Sequence, residues 1–504
     1  MNNIHELTSD LSDSKYWNKD LSPTKLENRK WGTWDIAALW IGMSVCITTY
    51  MLASSLIAGG MNWWQAILTI CLGNIIVLIP MVLNAHAGTK YGISFPVYCR
   101  ASFGIKGSNI PAMLRAFVAC GWFGIQTWIG GWAIYKLLAV AFPGWETLPA
   151  SFFGINIAQF LCFMAFWVIN MLIVWRGMES IRFIEDYSAP LLLIVGIALL
   201  GWAYFKAGGF GPILAQPSQF ELGGAKEGQF WKFFFPALTG MVGYWATLSL
   251  NIPDFTRYAK SQKSQIAGQA IGLPMTMTLY SFIGVAVTSA TMLIFGETIW
   301  DPVVLLSKFS SPFIIAISMI SLTLATLTTN LAANVVSPAN DFSNLWPSKI
   351  SFKMGGLITG LVGIIMMPWK LVADPKGYIF TWLIGYSALL GSVGGVLLSD
   401  YFLVRRTKLD LAELFRHPGI YSYKNGFNPV AIIALVFGII PCLPGFLGTI
   451  GAMNVPEFWM TLYNYAWFVS FAASFSSYAL ITKLQASEVF ATENAQVMEE
   501  AKPV

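Results

Sequence analysis

The chain has 504 residues, of which 56% are hydrophobic, 15% aromatic and 11% charged. A soluble globular protein carries about 25% charged residues, so this composition excludes a soluble or disordered chain and predicts an all-α polytopic membrane protein. The formal net charge of +5 includes no Lys/Arg run longer than two residues, which excludes a nucleic-acid-binding protein.

The first 32 residues form a polar tail that lacks the apolar core of a signal peptide, so we expect the first apolar segment to be kept as a span. A membrane helix needs about 20 mostly apolar residues. Apolar runs of this length, bounded by glycine, proline or charges, predict twelve transmembrane helices. They cover residues 33–57, 63–86, 110–141, 153–175, 184–206, 230–250, 268–296, 311–337, 354–370, 377–403, 428–448 and 457–482.

Small and hydroxyl residues interrupt the first and sixth spans at positions 42–49 and 239–244. Paired broken helices in corresponding positions of two halves are typical of transporters with inverted repeats and a binding site at the midplane. We therefore expect five spans in each half and two more at the end. The predicted divisions are a cytoplasmic tail (1–32), a first repeat (33–206), an external loop with the second repeat (207–403), a cytoplasmic loop with the last two spans (404–482) and a cytoplasmic tail (483–504).

The third span carries Trp122 and Gln126, which are four residues apart and therefore share one helix face. An indole offers a flat stacking surface, and an amide both donates and accepts hydrogen bonds. This pair suits a planar, neutral ring with N–H and C=O groups. Trp245, just after the interruption in the sixth span, is placed to stack on the other face of such a ring. Aromatic packing remains the alternative for both tryptophans.

The eighth span places Ala325, Thr328 and Thr329 at i, i+3 and i+4, so that one carbonyl and two hydroxyls share a face. Oxygen ligands of this kind suit a hard cation such as Na⁺, and carbonyls of the interrupted first span are expected to complete the set. Asn330 and Asn334 form a second i, i+4 pair. Two asparagines within one span predict a polar, functional face, because an amide in hydrocarbon needs a partner.

Basic residues predict the orientation. With both termini in the cytoplasm, the tails and cytoplasmic loops hold 22 Lys and Arg residues and the opposite side holds 7, as the positive-inside rule requires. We therefore expect a multi-pass protein of a bacterial inner membrane. The cysteines stand singly without a CxxC motif, which predicts neither a zinc site nor disulfides. No nucleophile–base pair or phosphate-binding loop is present, so an enzyme is not predicted.

The sequence resembles the nucleobase–cation symporter-1 family of nucleobase, hydantoin and allantoin permeases. The resemblance covers essentially the whole chain after the tail and implies a leucine-transporter-like fold of five plus five helices with two extra helices. The residues that carry it are 121–128, 251–257, 328–338 and 399–406.

The resemblance also implies roles for individual residues. Trp122 and Trp245 would sandwich the substrate, and Gln126 and Asn334 would hydrogen-bond to it. The implied sodium ligands are the carbonyls of Gly42, Val45 and Ala325 and the hydroxyls of Thr328 and Thr329. Since proton-driven relatives exist, a proton stays the alternative coupling ion, and no other cofactor is expected.

Two departures from the family pattern concern the substrate. Cys46 stands where the hydantoin transporter has glutamine, and Tyr244 stands where smaller residues are common. Residues 378–391 resemble the plant plastidic nucleobase transporters. We therefore expect import of uracil or a related nucleobase, with a hydantoin or allantoin permease as the alternative. A channel or a non-transporting receptor is the alternative from another class.

Overall fold

A computed structural model describes residues 4–500, except for positions 8, 10, 12, 151–152 and 177–192. The described part is helical, and its β-type pairings are two isolated bridges. The helices are α1 (Thr33–Ser44), α2 (Ile47–Ala58), α3 (Trp63–Tyr91), α4 (Phe95–Phe103), α5 (Asn109–Ala141), α6 (Ile157–Arg176), α7 (Leu193–Lys206), α8 (Phe210–Leu214), α9 (Phe230–Tyr244), α10 (Ala246–Asn251), α11 (Pro253–Thr256), α12 (Gln262–Phe295), α13 (Pro302–Ser307), α14 (Pro312–Asn334), α15 (Val336–Leu345), α16 (Phe352–Ile365), α17 (Pro368–Leu371), α18 (Ile384–Leu398), α19 (Pro429–Ile439), α20 (Leu443–Thr449), α21 (Glu457–Asn464) and α22 (Ala466–Glu500).

Within the described ranges, six helices are long and apolar enough to cross a membrane, and the bent pair α1–α2 would make a seventh span. Three of the six are composite: α14 continues into α15, α18 is lengthened at both ends by π-helical segments to Gly377–Val404, and α19 is joined to α20 by a 3-10 turn. The other predicted spans coincide with α5, α7, α9–α10, α16 and α21–α22, but residues 184–192 of the fifth lie outside the described part. A helical fold with apolar helices of membrane length is thus observed, and the count of twelve stays a prediction.

Both spans are interrupted, the first within the predicted segment 42–49 and the sixth just after the predicted segment, because residues 239–244 are still helical. The axis bends by 59° between α1 and α2, where Val45 and Cys46 leave helical geometry. The sixth span stops at Tyr244, and α10 begins after Trp245. A broken helix exposes backbone groups that a continuous helix would satisfy internally, so these breaks offer polar backbone groups at depth.

Glycines allow the helices next to the first break to approach closely. A Cβ added to Gly272 of α12 would lie 2.8 Å from the carbonyl oxygen of Ala37 in α1, and one added to Gly268 would lie 2.7 Å from that of Thr33. Small residues have this role wherever helices pack in a bilayer. The contact holds α1 against the long helix α12, which also packs along α2 and α3.

The described part of the N-terminal tail lies across the loops on one side of the protein. His5 donates its backbone N–H to Lys90 at the end of α3. The Asn18 amide donates to the Pro347 carbonyl after α15 (2.9 Å), and the Trp17 ring packs against Phe415. The tail thereby joins loops that are far apart in the sequence, and we call this the tail side.

Candidate functional site

The two helix breaks meet at the side chain of Tyr244. Its hydroxyl lies 2.8 Å from the hydroxyl of Thr48, 3.1 Å from that of Thr49 and 3.4 Å from the Cys46 sulfur. The Cys46 thiol in turn lies 3.2 Å from both threonine hydroxyls. All four side chains are buried, so they form one polar cluster that ties the start of α2 to the end of α9.

Trp122 lies inside an aromatic enclosure. Its ring centroid is 5.3 Å from that of Tyr244, 5.8 Å from Trp382, 6.2 Å from Tyr378 and 6.4 Å from Tyr386, and every pair is close to perpendicular. These rings therefore pack edge-on around the indole and give it apolar surroundings. Tyr378, Trp382 and Tyr386 were not identified as site residues from the sequence. Their spacing of four residues nevertheless puts them on one face of the tenth span.

Trp245 also contacts Tyr244. The Tyr244 ring packs edge-on against Trp245 with centroids 4.9 Å apart, and Trp245 packs edge-on against Trp40 at 5.2 Å. Its indole N–H is buried without a hydrogen-bond partner in the described part of the chain. Tyr244 thus contacts both tryptophans that the sequence singles out.

Three side-chain contacts show that α5 and the α14–α15 helix run antiparallel. The Asn344 amide donates to Asn109 (2.7 Å), and Arg115 pairs with Asp341 (3.3 Å). Farther along, the Asn330 amide donates to the Phe123 carbonyl (3.3 Å). Since residue numbers fall along α5 as they rise along α14–α15, position 334 lies at about the level of Trp122.

Asn330 and Asn334 have different surroundings. The Asn330 amide also donates to the Thr127 hydroxyl (3.1 Å) and to Asn170 of α6 (3.3 Å), so it fastens three helices together. Among the described residues, the Asn334 side chain makes one hydrogen bond, from its amide to the Asn330 side-chain oxygen at 3.0 Å. The Asn334 carbonyl oxygen is left without a donor among the described residues, so of the two predicted asparagines only Asn334 keeps an acceptor for a ligand.

Gln126 is one turn beyond Trp122 on α5 and only 5% exposed. Its amide makes no hydrogen bond with any residue that the structure describes. Because the amide is not fully enclosed by protein, it is free to bind a polar ligand or water. The indole of Trp122 and the free amide of Gln126 follow each other on the same face of the helix.

The first break also releases the carbonyls that the sequence assigned to a cation. In a continuous helix the Cys46 N–H would bond to the Gly42 carbonyl, but here it donates to Ser44 at 3.0 Å. The Val45 carbonyl likewise accepts no hydrogen bond from the described residues. Both oxygens are therefore available as ligands at the end of α1, which lies against α14.

The remaining predicted cation ligands form one group on α14. The hydroxyls of Thr328 and Thr329 donate to the Ala325 carbonyl at 2.8 and 3.0 Å. Each hydroxyl oxygen keeps its lone pairs, because it is the donor in that bond. Uncharged oxygens on two adjacent elements fit a hard monovalent cation such as Na⁺.

A buried ion pair lies farther toward the tail side. Arg115 and Asp341 are 1% and 0% exposed, respectively, at the side chain, and Arg115 is about 10 Å along α5 from Trp122, given a rise of 1.5 Å per residue. The sequence did not indicate this pair, because one acidic residue at the end of an apolar segment gives no distinctive pattern. The pair holds α5 to α15 and is separate from the aromatic enclosure.

Comparisons with known proteins agree with this architecture. The sequence model of a family described as "Permease for cytosine/purines, uracil, thiamine, allantoin" matches residues 23–470. The chain is 46% identical over 493 residues to the purine–uracil permease of Arabidopsis thaliana, which covers 96% of this chain and 80% of that protein. It is 41% identical over 482 residues to the allantoin permease of Bacillus subtilis, which covers 95% of this chain and 96% of that protein.

Among solved structures, the chain is similar to Mhp1, a nucleobase-cation-symport-1 family transporter, in a closed conformation with bromovinylhydantoin bound. The TM-score is 0.75 at 26% identity, and the match covers 94% of this chain and 96% of that chain. These relatives are permeases and a transporter rather than enzymes. The predictions of a transport protein and of its family are therefore confirmed.

Proposed function

The chain belongs to the family of permeases for cytosine/purines, uracil, thiamine and allantoin, and on this premise we propose that it is a secondary active symporter that imports a nucleobase such as uracil together with sodium. Transport proceeds by alternating access around a site between the two helix breaks. Residues 33–206 and 207–403 act as the two repeats, followed by residues 404–482. Both termini face the cytoplasm of a bacterium, across its inner membrane.

The single observation that carries this proposal is the free Gln126 amide beside the aromatic enclosure of Trp122. A nucleobase is flat, neutral and bordered by alternating N–H and C=O groups, so it fits stacking surfaces with amide partners. The ring lies between Trp122 and Trp245, with Gln126 and Asn334 as its hydrogen-bond partners. Tyr244 and Cys46 close the site at the helix breaks.

Sodium is the proposed coupling ion because the predicted ligands are all uncharged oxygens, although the Ala325 carbonyl accepts hydrogen bonds from both threonine hydroxyls here. They are the carbonyls of Gly42, Val45 and Ala325 and the hydroxyls of Thr328 and Thr329. The ion site and the substrate site share α14. Binding at one site therefore favours binding at the other if both ligands prefer the same conformation.

Uptake of radiolabelled uracil into proteoliposomes tests the function. We expect an inward Na⁺ gradient to raise the initial rate several-fold over a K⁺ gradient, because the ion stabilises the substrate-binding conformation. Uptake that does not depend on Na⁺ but is abolished by a protonophore would contradict the choice of ion. Counterflow with preloaded uracil is the control, since a channel or a receptor does not exchange bound substrate.

Allantoin is the second candidate substrate, and the similarity to the Bacillus subtilis permease along nearly its full length favours it. Hydantoin is a related alternative with the same ring chemistry. Uptake of allantoin without uptake of uracil in the same proteoliposomes would replace the substrate in this proposal and leave the symport mechanism in place.

The double substitution Thr328→Ala/Thr329→Ala tests the ion site. Loss of two ligand oxygens, at about 1 kcal/mol each, is expected to raise the Na⁺ concentration for half-maximal uptake roughly 30-fold. Thr326→Ala is the matched control, because Thr326 is a buried threonine of the same helix whose hydroxyl likewise donates to a carbonyl one turn back (Leu322, 2.7 Å), but it is not among the predicted ligands. An equal response to Na⁺ in both variants would place the ion elsewhere.

A further inference from the structure

A groove of about 930 Å³ opens on the tail side, away from the aromatic enclosure. One wall is the beginning of α5, and the other is the segment that follows α15. Lys15 and Tyr16 of the tail and Lys106 before α5 close the polar end. Phe427 also lines the groove, which is therefore built from four segments that are distant in the sequence, and it takes no part in the proposed transport site.

The wall on α5 is an apolar stripe. Ile110, Met113, Leu114 and Phe117 line the groove, and their spacing of three and four residues puts them on one helix face. The stripe extends about 10 Å along the helix axis, given a rise of 1.5 Å per residue. Phe117 is 54% exposed although it lies within a predicted span, so the stripe runs into the surface that faces the lipid chains.

The opposite wall has the composition of a membrane interface. Trp346 lines the groove and is 52% exposed, and Lys349 holds its ammonium 4.0 Å from the centre of that ring. Tryptophan and lysine in this arrangement are typical of the depth at which lipid headgroups lie. The groove thus crosses from the headgroup level to the hydrocarbon.

The polar end carries positive charge without compensation. Lys15 and Lys106 form no ion pair with the described residues, and no acidic residue is among the described lining residues. Both lysines act on the same neighbour: the pKa of His417 is lowered by burial and then by Lys106 and Lys15. Two ammonium groups at the mouth of an apolar groove are therefore complementary to an anion that carries a hydrocarbon chain.

We propose that this groove binds one anionic phospholipid, with its phosphate between Lys15 and Lys106 and an acyl chain along the α5 stripe. Basic pockets between membrane helices recognise acidic headgroups in this way. A free phosphate would leave the apolar wall unused, and a neutral lipid would leave the two ammonium groups uncompensated. The bound lipid joins the tail to α5 and to the segment after α15, and the inference is independent of which heterocycle is transported.

Native mass spectrometry of the purified full-length chain tests the site. After exchange into neutral detergent, the protein is titrated with phosphatidylglycerol or phosphatidylcholine that have identical acyl chains. We expect one phosphatidylglycerol to be retained preferentially, and its affinity to fall about 30-fold in Lys15→Gln/Lys106→Gln, since each lysine near an anionic headgroup contributes roughly 1 kcal/mol. A rise in the unfolding temperature with phosphatidylglycerol is the second readout.

The matched control is Lys25→Gln/Lys30→Gln, which removes two exposed charges from the same tail outside the groove and is expected to leave retention unchanged. Equal retention of the two lipids by the unaltered protein would overturn the proposal. So would unchanged phosphatidylglycerol binding in Lys15→Gln/Lys106→Gln. Complete displacement of the lipid by an equal concentration of glycerol 3-phosphate would show a site for free anions instead.

Discussion

Replacing Asn334 with alanine is expected to weaken uracil binding about 30-fold while the protein stays folded. The Asn334 side-chain oxygen accepts no hydrogen bond from the described residues, and in the proposed complex it accepts a hydrogen bond from the substrate. A ligand N–H left without its acceptor in a buried site costs about 2 kcal/mol, which corresponds to the stated change in Kd. Isothermal titration with the purified protein in sodium buffer measures the effect.

Asn330→Ala separates a binding role from a packing role. Asn330 joins α14 to α5 and α6 through hydrogen bonds to Phe123, Thr127 and Asn170. We expect this variant to lower the unfolding temperature more than Asn334→Ala does. If Asn334→Ala binds uracil as tightly as the unaltered protein, the residue has no place in the substrate site.

The second large effect is expected from Asp341→Ala, which should destabilise the protein by about 3–5 kcal/mol. The substitution leaves the Arg115 guanidinium buried without its carboxylate, and an uncompensated buried charge is costly. Asp341→Asn keeps an oxygen that accepts from the Arg115 N–H, so this variant should lose less stability than Asp341→Ala. Thermal unfolding of the purified variants, read at one heating rate, measures the difference.

An exposed ion pair of the same length provides the control. Arg416 and Glu413 are also 3.3 Å apart, but the Arg416 side chain is 51% exposed. Because water screens such a pair, Arg416→Gln should change stability by less than about 1 kcal/mol. Equal unfolding temperatures for Asp341→Ala and Arg416→Gln would show that burial does not strengthen the Arg115–Asp341 pair.

Local patterns in the sequence were sufficient to predict that the first and sixth spans are interrupted. Glycine and hydroxyl residues within apolar runs indicate a helix that cannot continue, and the structure interrupts the first span after Ser44 and the sixth after Tyr244. The hydroxyl pair Thr328 and Thr329 was equally visible, because i, i+3 and i+4 spacing on one helix is a property of the chain alone. Their role as sodium ligands remains a prediction.

Contacts between segments that are distant in the chain could not be predicted from such local patterns. Tyr378, Trp382 and Tyr386 surround Trp122, yet more than 250 residues separate them from it in the chain. The two asparagines of the eighth span looked equivalent, and only the packing of α5 and α6 against α14 gives Asn330 a full set of partners. The Asp341 partner of Arg115 is 226 residues away.

The sequence by itself was therefore enough to predict that the protein lies in a membrane, that it is helical and that it belongs to this transporter family. Low charge, apolar runs of membrane length and broken spans are each a consequence of local composition and period. The tertiary structure decided which polar groups are satisfied by the protein and which remain free for a ligand. A hydrogen bond depends on the position of both partners, and for Asn330, Gln126, Asn334 and Arg115 those positions are set by helices far apart in the chain.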